Sequence, residues 1–237
     1  GWLPGKGYLK IYDSNNFPKL KSKSKDLSLT DNIFDETETK MNYIFSYNAS
    51  STIDLAGNLK GVLDGMGSDV ALTTLNIGVG CEKTNAALLF TRDGKGAWSG
   101  EVDMIQYFIA KDTDRPCNSG VYQNTCPSSN NAIKTGNNDH YGCAVALSGD
   151  TFVVAACAAN ADNGLVYLYT RIANPNGDKT KFNTVPDLIL NGNTKVKTFG
   201  WSLSITNSFL AIGAPQARIN DDTGQVFVYG RDGTTNL

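Results

Sequence analysis

The sequence predicts an all-β domain built from repeated units, and three observations point to this fold class. The 237 residues include 24 glycines and are rich in Asn, Ser and Thr, which favour turns. Short apolar runs alternate with these turn-forming stretches, as in sheets with many short strands, and no long segment has helical periodicity. Parts of the sequence also repeat at a fixed spacing, which is typical of repeat architectures.

Two segments share one pattern of strands and turns. Residues 140–157 read HYGCAVALSGDTFVVAAC, and residues 199–215 read FGWSLSITNSFLAIGAP. Gly142 and Gly200 lie 58 residues apart. In each segment an alternating strand is followed by a turn and a second apolar strand, so each segment predicts a β-hairpin.

A glycine-led strand follows each hairpin. Residues 164–171 read GLVYLYTR, and residues 224–231 read GQVFVYGR. The two strands align residue for residue, and each has two aromatic residues at a spacing of two, which places both on one face of the strand. Residues 7–13, GYLKIYD, are similar and are interpreted as the tail of an earlier unit.

A degenerate copy of the unit lies upstream. Its first two strands are Met66 to Leu72 and Asn76 to Cys81, and its third strand is either residues 86–92 or residues 100–107. We prefer residues 100–107, because a turn at Asp93-Gly94 could precede them. The predicted organisation is then a blade tail at 1–16, a degenerate blade at 60–116, blades at 138–194 and 196–237, and an unassigned stretch at 17–59.

The pair Phe199-Gly200 followed by Gly213-Ala214-Pro215 resembles the FG-GAP repeat of integrin α subunits. Tyr141-Gly142 with Ala155-Ala156-Cys157 is a variant of the same motif. The resemblance implies a β-propeller, in which four-stranded antiparallel blades surround a channel. It also implies small residues near the crowded centre and third-strand aromatics between blades. About four blades fit this length, whereas such propellers usually have seven. We therefore expect the remaining blades to come from a longer chain or another subunit.

The chain has five cysteines and no C-x-x-C pair. Cys117 and Cys126 flank a polar loop, and a disulfide between them would close it. Cys143 and Cys157 lie on the two arms of one predicted hairpin. If its loop is Gly149-Asp150-Thr151, they are directly opposite each other and near disulfide reach. We predict both disulfides, the alternative for Cys143 and Cys157 being two buried free thiols. Cys81 is then left without a predicted partner.

Asn48-Ala49-Ser50 is an N-glycosylation sequon. Together with the cysteines and the family resemblance, it predicts an extracellular or cell-surface protein. No run of 18 apolar residues exists, so membrane insertion is not expected. The net charge is −2, so no basic excess favours nucleic acid as a partner.

Nothing in the sequence predicts catalysis. His140 is the only histidine; it could act as a base oriented by Asp139, but a loop histidine beside an aspartate is common. No cofactor is expected. Calcium stays open, although no Asp-x-Asp-x-Asp-Gly loop is present, and residues 162–164, 174–178 and 221–224 are interpreted as turns.

An exposed tryptophan on a propeller face could stack on a sugar ring. Trp98 follows a predicted turn and is the better candidate for an exposed ligand face, whereas Trp201 lies on a predicted inner strand and is expected to pack inside. The predicted function is a non-catalytic extracellular module for adhesion or scaffolding that binds a protein partner through a propeller face. The alternatives are a glycan-binding, lectin-like propeller and an accessory propeller of a larger secreted enzyme.

Overall fold

The computed structural model describes residues 8–12, 43–48, 65–92, 97–98, 104–109, 139–172, 181–192, 196–216 and 223–230. The first two strands, β1 (Tyr8–Tyr12) and β2 (Tyr43–Asn48), form an antiparallel pair. Asn48, the predicted glycosylation site, is the last residue of β2. The predicted Cys117–Cys126 disulfide lies outside the described residues.

Sheet 1 is a four-stranded antiparallel sheet in sequential order. It contains β3 (Met66–Leu72), β4 (Asn76–Cys81), β5 (Ala86–Thr91) and β6 (Ile105–Ile109). The preference for residues 100–107 as the third strand was wrong. The apolar run at 86–91 follows a short 3-10 turn and pairs with β4, and the later segment supplies the fourth strand.

Sheet 2 is also four-stranded, antiparallel and sequential. It contains β7 (Tyr141–Ser148), β8 (Thr151–Ala156), β9 (Leu165–Thr170) and β10 (Leu188–Asn191), with a helical turn α1 (Ala159–Asp162) between β8 and β9. Sheet 3 contains β11 (Ser202–Ile205), β12 (Phe209–Ala214) and β13 (Gln225–Gly230). The prediction of an all-β fold with antiparallel blades is confirmed, while the exact limits of the units stay a prediction.

The sheets stack in chain order, and each uses its two faces differently. We call the face that packs on the preceding sheet the front and the opposite one the back. The front of sheet 2 packs on Ala87, Leu89 and Phe108 of sheet 1. Its back packs on Phe199, Leu210 and Ile212 of the third unit. Because strand residues alternate between faces, every strand of sheet 2 contributes to two cores.

Aromatic rings fill the space between sheets 1 and 2. Tyr141 and Tyr167 meet edge to face with ring centroids 5.2 Å apart, and Phe108 meets Tyr169 in the same way at 4.8 Å. The hydroxyls of Tyr141 and Tyr169 are hydrogen-bonded at 2.6 Å. Edge-to-face pairs add to the stability given by burial alone. The packing role predicted for the third-strand aromatics is therefore confirmed.

The glycine after the first aromatic or apolar residue of each unit has one conformation in all three sheets. Gly67, Gly142 and Gly200 have φ values of 89°, 91° and 90°, a region that side chains rarely adopt. A Cβ on Gly142 would overlap the carbonyl oxygen of Ala86 in sheet 1, and one on Gly200 would come within 2.9 Å of the Ala155 Cβ. The motif glycine thus permits both the backbone turn and the close approach of neighbouring sheets.

At the edge that carries the β7–β8 turn, a buried arginine joins sheets 1 and 2. The Nε of Arg171 donates to Asp150 at 2.8 Å, and one Nη donates to Asn76 of sheet 1 at 2.8 Å. Its guanidinium lies 4.5 Å from the ring centroid of Phe182. The planar fork of donors suits this combination of hydrogen bonds and stacking.

None of the described helices is long and apolar enough to cross a membrane.

Candidate binding cleft at one edge of the sheets

The alternation of strand directions brings equivalent connections to one edge. The β4–β5 and β8–β9 connections, and the starts of β7 and β11, must lie at the same end of an antiparallel stack. This end is opposite the β7–β8 turn and the Arg171 contacts. It is therefore where side chains from all three sheets can meet.

An open cleft of about 740 Å³ lies at this edge. That volume is in the range of small-molecule sites. Its polar and aromatic lining comes from Glu82 beside sheet 1, from His140 and Asp162 in the second unit, and from Lys197, Trp201 and Gln216 in the third. The stacking of three sheets is therefore a condition for the cleft.

The floor of the cleft includes a disulfide between Cys143 and Cys157. The two residues lie on β7 and just after β8, where the ladder has a bulge between Tyr141 and Val145. The Cys157 N–H also contacts the Cys143 Sγ at 3.1 Å. The disulfide therefore cross-links the end of the β7–β8 hairpin that lines the cleft.

A side-chain hydrogen bond between two neighbouring sheets forms one side of the rim. Nδ1 of His140 lies 2.5 Å from Oε1 of Glu82, and both side chains are partly exposed. Glu82 begins the 3-10 turn after β4, and His140 precedes β7. His140 therefore joins neighbouring sheets in this structure, a contact that its sequence context with Asp139 does not indicate.

The backbone of the rim is held in defined conformations. His140, Asp162 and Thr198 are non-glycine residues with φ values of 55°, 66° and 57°. The Thr198 N–H donates to the Asp162 carbonyl at 2.8 Å, and the Cys143 N–H donates to the His140 carbonyl at 3.0 Å. His140 and Thr198 occupy equivalent places before the motif aromatic, so the repeat itself builds this rim.

The side chains of the two described tryptophans, Trp98 and Trp201, differ in exposure in the opposite sense to that expected. Trp201, expected inside, is 59% exposed and lines the cleft. Trp98, the predicted ligand-face residue, is half-buried against the core of sheet 1, with the Arg92 guanidinium 4.8 Å from its ring centroid. The expectation for Trp201 was therefore wrong. Sequence reasoning also missed Glu82, Lys197 and Gln216.

The cleft offers binding surface: an indole, an apolar floor and hydrogen-bonding groups of both polarities. Among the described residues, no group of three or more His, Cys, Asp or Glu is placed to hold a metal ion. Cys81 is buried and does not line the cleft, and burial raises the pKa of its thiol from 9.0 to about 12. Its thiolate, the nucleophilic form, is thus disfavoured at neutral pH.

Comparison with known families locates the repeat within this architecture. The FG-GAP repeat family model matches residues 132–169, which include β7, β8 and most of β9. The resemblance derived from the sequence motif is thereby confirmed for the second unit. No curated protein matches the chain.

Proposed function

We propose that the chain is a non-catalytic extracellular module for protein interaction, of the adhesion or scaffold type, and that it docks its partner on the back of sheet 3. The observation that carries the proposal is an exposed apolar face. Val226 and Val228 on β13 are 70% and 65% exposed, and Phe209 on β12 is 57% exposed. Exposed apolar patches of this kind mark interaction sites more often than isolated exposed residues do.

Sheet 2 provides an internal reference for this face. Val166 and Leu168 of β9 align with Val226 and Val228 of β13, yet they are only 0% and 2% exposed. They are covered because the front of sheet 3 packs on them. The back of sheet 3 therefore has the same kind of apolar residues as the back of sheet 2, which another sheet covers. Among the described residues, no sheet covers the back of sheet 3.

The same reference defines the partner's chemistry. What covers the back of sheet 2 is a face with the branched side chains of Leu210 and Ile212 and the rings of Phe199 and Phe227. By continuity with this interface, the partner of sheet 3 is a β-sheet presenting large aliphatic and aromatic side chains, carried by another subunit or by a longer chain. The core of such an interface is packed as densely as the interior of a protein.

Three features support an extracellular setting for this interaction. Residues 132–169 match the FG-GAP repeat. The Cys143–Cys157 disulfide favours an oxidising compartment. Asn48 begins a glycosylation sequon at the end of β2. If treatment with a glycosidase lowers the mass of the secreted protein by removing a glycan from Asn48, this setting is supported. A cytosolic, unglycosylated protein would contradict it.

The docking face can be tested with labelled protein on the surface of cells from the source organism. We expect saturable binding that is lost when the cells are treated with protease. Val228→Asp should reduce binding by about tenfold or more, because it places a charge in the apolar face. Gln225→Asp, an exposed change on the opposite face of the same strand, is the matched control.

A second measurement locates the contact. Hydrogen exchange at residues 225–230 should slow when a partner protein isolated from these cells is bound. Circular dichroism should show that both variants are folded. Equal binding by Val228→Asp and wild type, or binding that resists protease, would contradict the proposal.

A further inference from the structure

The edge cleft has a chemistry distinct from that of the apolar docking face. We propose that it binds neutral carbohydrate, with Trp201 as the platform for a sugar ring. This function is independent of the back of sheet 3, because the cleft lies at the strand ends. The inference rests on the lining residues, their charge balance and the way the backbone fixes them.

The cleft combines an exposed indole with an apolar floor. Trp201 is 59% exposed at the cleft, whereas the other described tryptophan is half-buried. An exposed indole presents a large flat apolar face and a polar N–H group to a ligand. Beside it, the Cys143–Cys157 disulfide and Ala158 supply further apolar surface. One face of a sugar ring is apolar and fits such a platform.

The rim has no cationic excess, because the carboxylates of Glu82 and Asp162 stand beside a single ammonium, that of Lys197, while the His140 imidazole contacts Glu82. A phosphate- or sulfate-rich ligand would call for a cationic excess. Hydroxyl groups donate and accept hydrogen bonds. A neutral ligand with many hydroxyls can therefore use every group of this rim, including the amide of Gln216.

The groups of the rim are held in place by hydrogen bonds within the protein. Thr198 and Asp162 are joined by a backbone hydrogen bond of 2.8 Å, and His140 is held to Glu82 across two sheets. A binding site whose groups are already ordered loses little conformational entropy when a ligand binds. The cleft volume of about 740 Å³ suits a short oligosaccharide better than a single atom or ion.

The experiment starts with the folded protein on an array of neutral and acidic oligosaccharides. Calorimetric titration with the tightest-binding neutral oligosaccharide then gives its affinity for wild type and variants. We expect Trp201→Ala to weaken binding by about tenfold or more. Phe209→Ala is the matched control, because this residue is an aromatic of the same sheet with a similar exposure of 57%, on the docking face; its affinity should equal that of wild type.

A spectroscopic readout makes the test independent of affinity. The chain has three tryptophans, so 5-fluorotryptophan labelling gives fluorine signals that single substitutions assign. The Trp201 signal should shift on titration with the oligosaccharide, while the Trp98 signal should not.

Three outcomes would overturn the inference. They are equal affinity of wild type and Trp201→Ala, binding restricted to acidic glycans and abolished by salt, and absence of both array binding and a Trp201 shift. Val228→Asp should keep its affinity for the oligosaccharide. Loss of sugar binding and loss of protein docking are therefore separable results.

Discussion

Sheets 2 and 3 are built on the same pattern, but they differ in how their back faces are used. In sheet 2 the back is covered by the next unit, and Val166 and Leu168 belong to its core. In sheet 3 the aligned Val226 and Val228 face solvent. The comparison shows that burial in this molecule is decided by the neighbouring sheet and not by the strand's own sequence. Aligned strands of the two units are therefore buried in one sheet and exposed in the next.

The largest expected effect concerns the glycine that permits the contact. Gly142→Ala should lower the free energy of unfolding by about 4 kcal/mol, because φ is 91° and the new Cβ would overlap the Ala86 carbonyl oxygen of sheet 1. Urea unfolding followed by circular dichroism measures this change.

Gly224→Ala is the control for the glycine prediction. The nearest atom to its Cβ would be a Pro215 carbonyl oxygen at 3.3 Å, so a change below about 1 kcal/mol is expected. Equal losses for the two variants would show that the close approach of sheets 1 and 2 does not determine stability.

A pair of aligned substitutions tests the comparison of back faces directly. Leu168→Ala should destabilise the protein by about 3 kcal/mol, because it leaves a cavity between sheets 2 and 3. Val228→Ala should change stability by less than about 0.5 kcal/mol, because its side chain is exposed. Urea midpoints at constant slope provide both values. If Val228→Ala were as costly as Leu168→Ala in the isolated protein, the back of sheet 3 would already be covered in solution.

The last prediction concerns the pH dependence of stability, which depends on a buried thiol in sheet 1 and a half-buried tyrosine in sheet 3. Burial raises the pKa of Cys81 in sheet 1 from 9.0 to about 12, and burial also raises the pKa of Tyr229 in sheet 3. Because the folded state favours the protonated form of each, their stabilising contribution is present below the unfolded pKa and is lost as pH rises. We expect the free energy of unfolding to fall from about pH 9 towards pH 12.

Alkylation checks the same point at one residue. Iodoacetamide at pH 8 should leave Cys81 unmodified in the native protein and modify it in urea, as read by peptide mass spectrometry. The Cys81→Ala variant should lose part of the alkaline slope. Rapid native alkylation of Cys81 would contradict the burial described for sheet 1.

The repeat itself could be predicted from the sequence, because its determinants are local. Glycine followed by alternating residues defined β7 and β11, and aromatics two apart defined the buried faces of β9 and β13. The third strand of sheet 1 was misplaced because the Asp93-Gly94 turn signal outweighed the apolar run at 86–91. Strands buried on both faces do not alternate, so periodicity does not identify them.

The cleft could not be predicted, because its residues meet only after the sheets stack. Glu82 and His140 are 58 residues apart in the sequence, and neither has a local motif that indicates the other. The exposure of Trp201, which directly precedes β11, depends on which neighbouring residues cover its side chain. The alternation pattern of β11 does not contain that information. A long-range arrangement of this kind requires coordinates.

The front-to-back order of the sheets has a consequence for biosynthesis. Sheets 2 and 3 each pack their fronts on the sheet that precedes them in the chain, so each of these units, when newly translated, meets a neighbour that has already left the ribosome. We expect folding to advance from the amino terminus without waiting for distant partners. Pulling force on a stalled nascent chain should rise once after sheet 2 emerges and again after sheet 3, whereas one late rise would contradict this order.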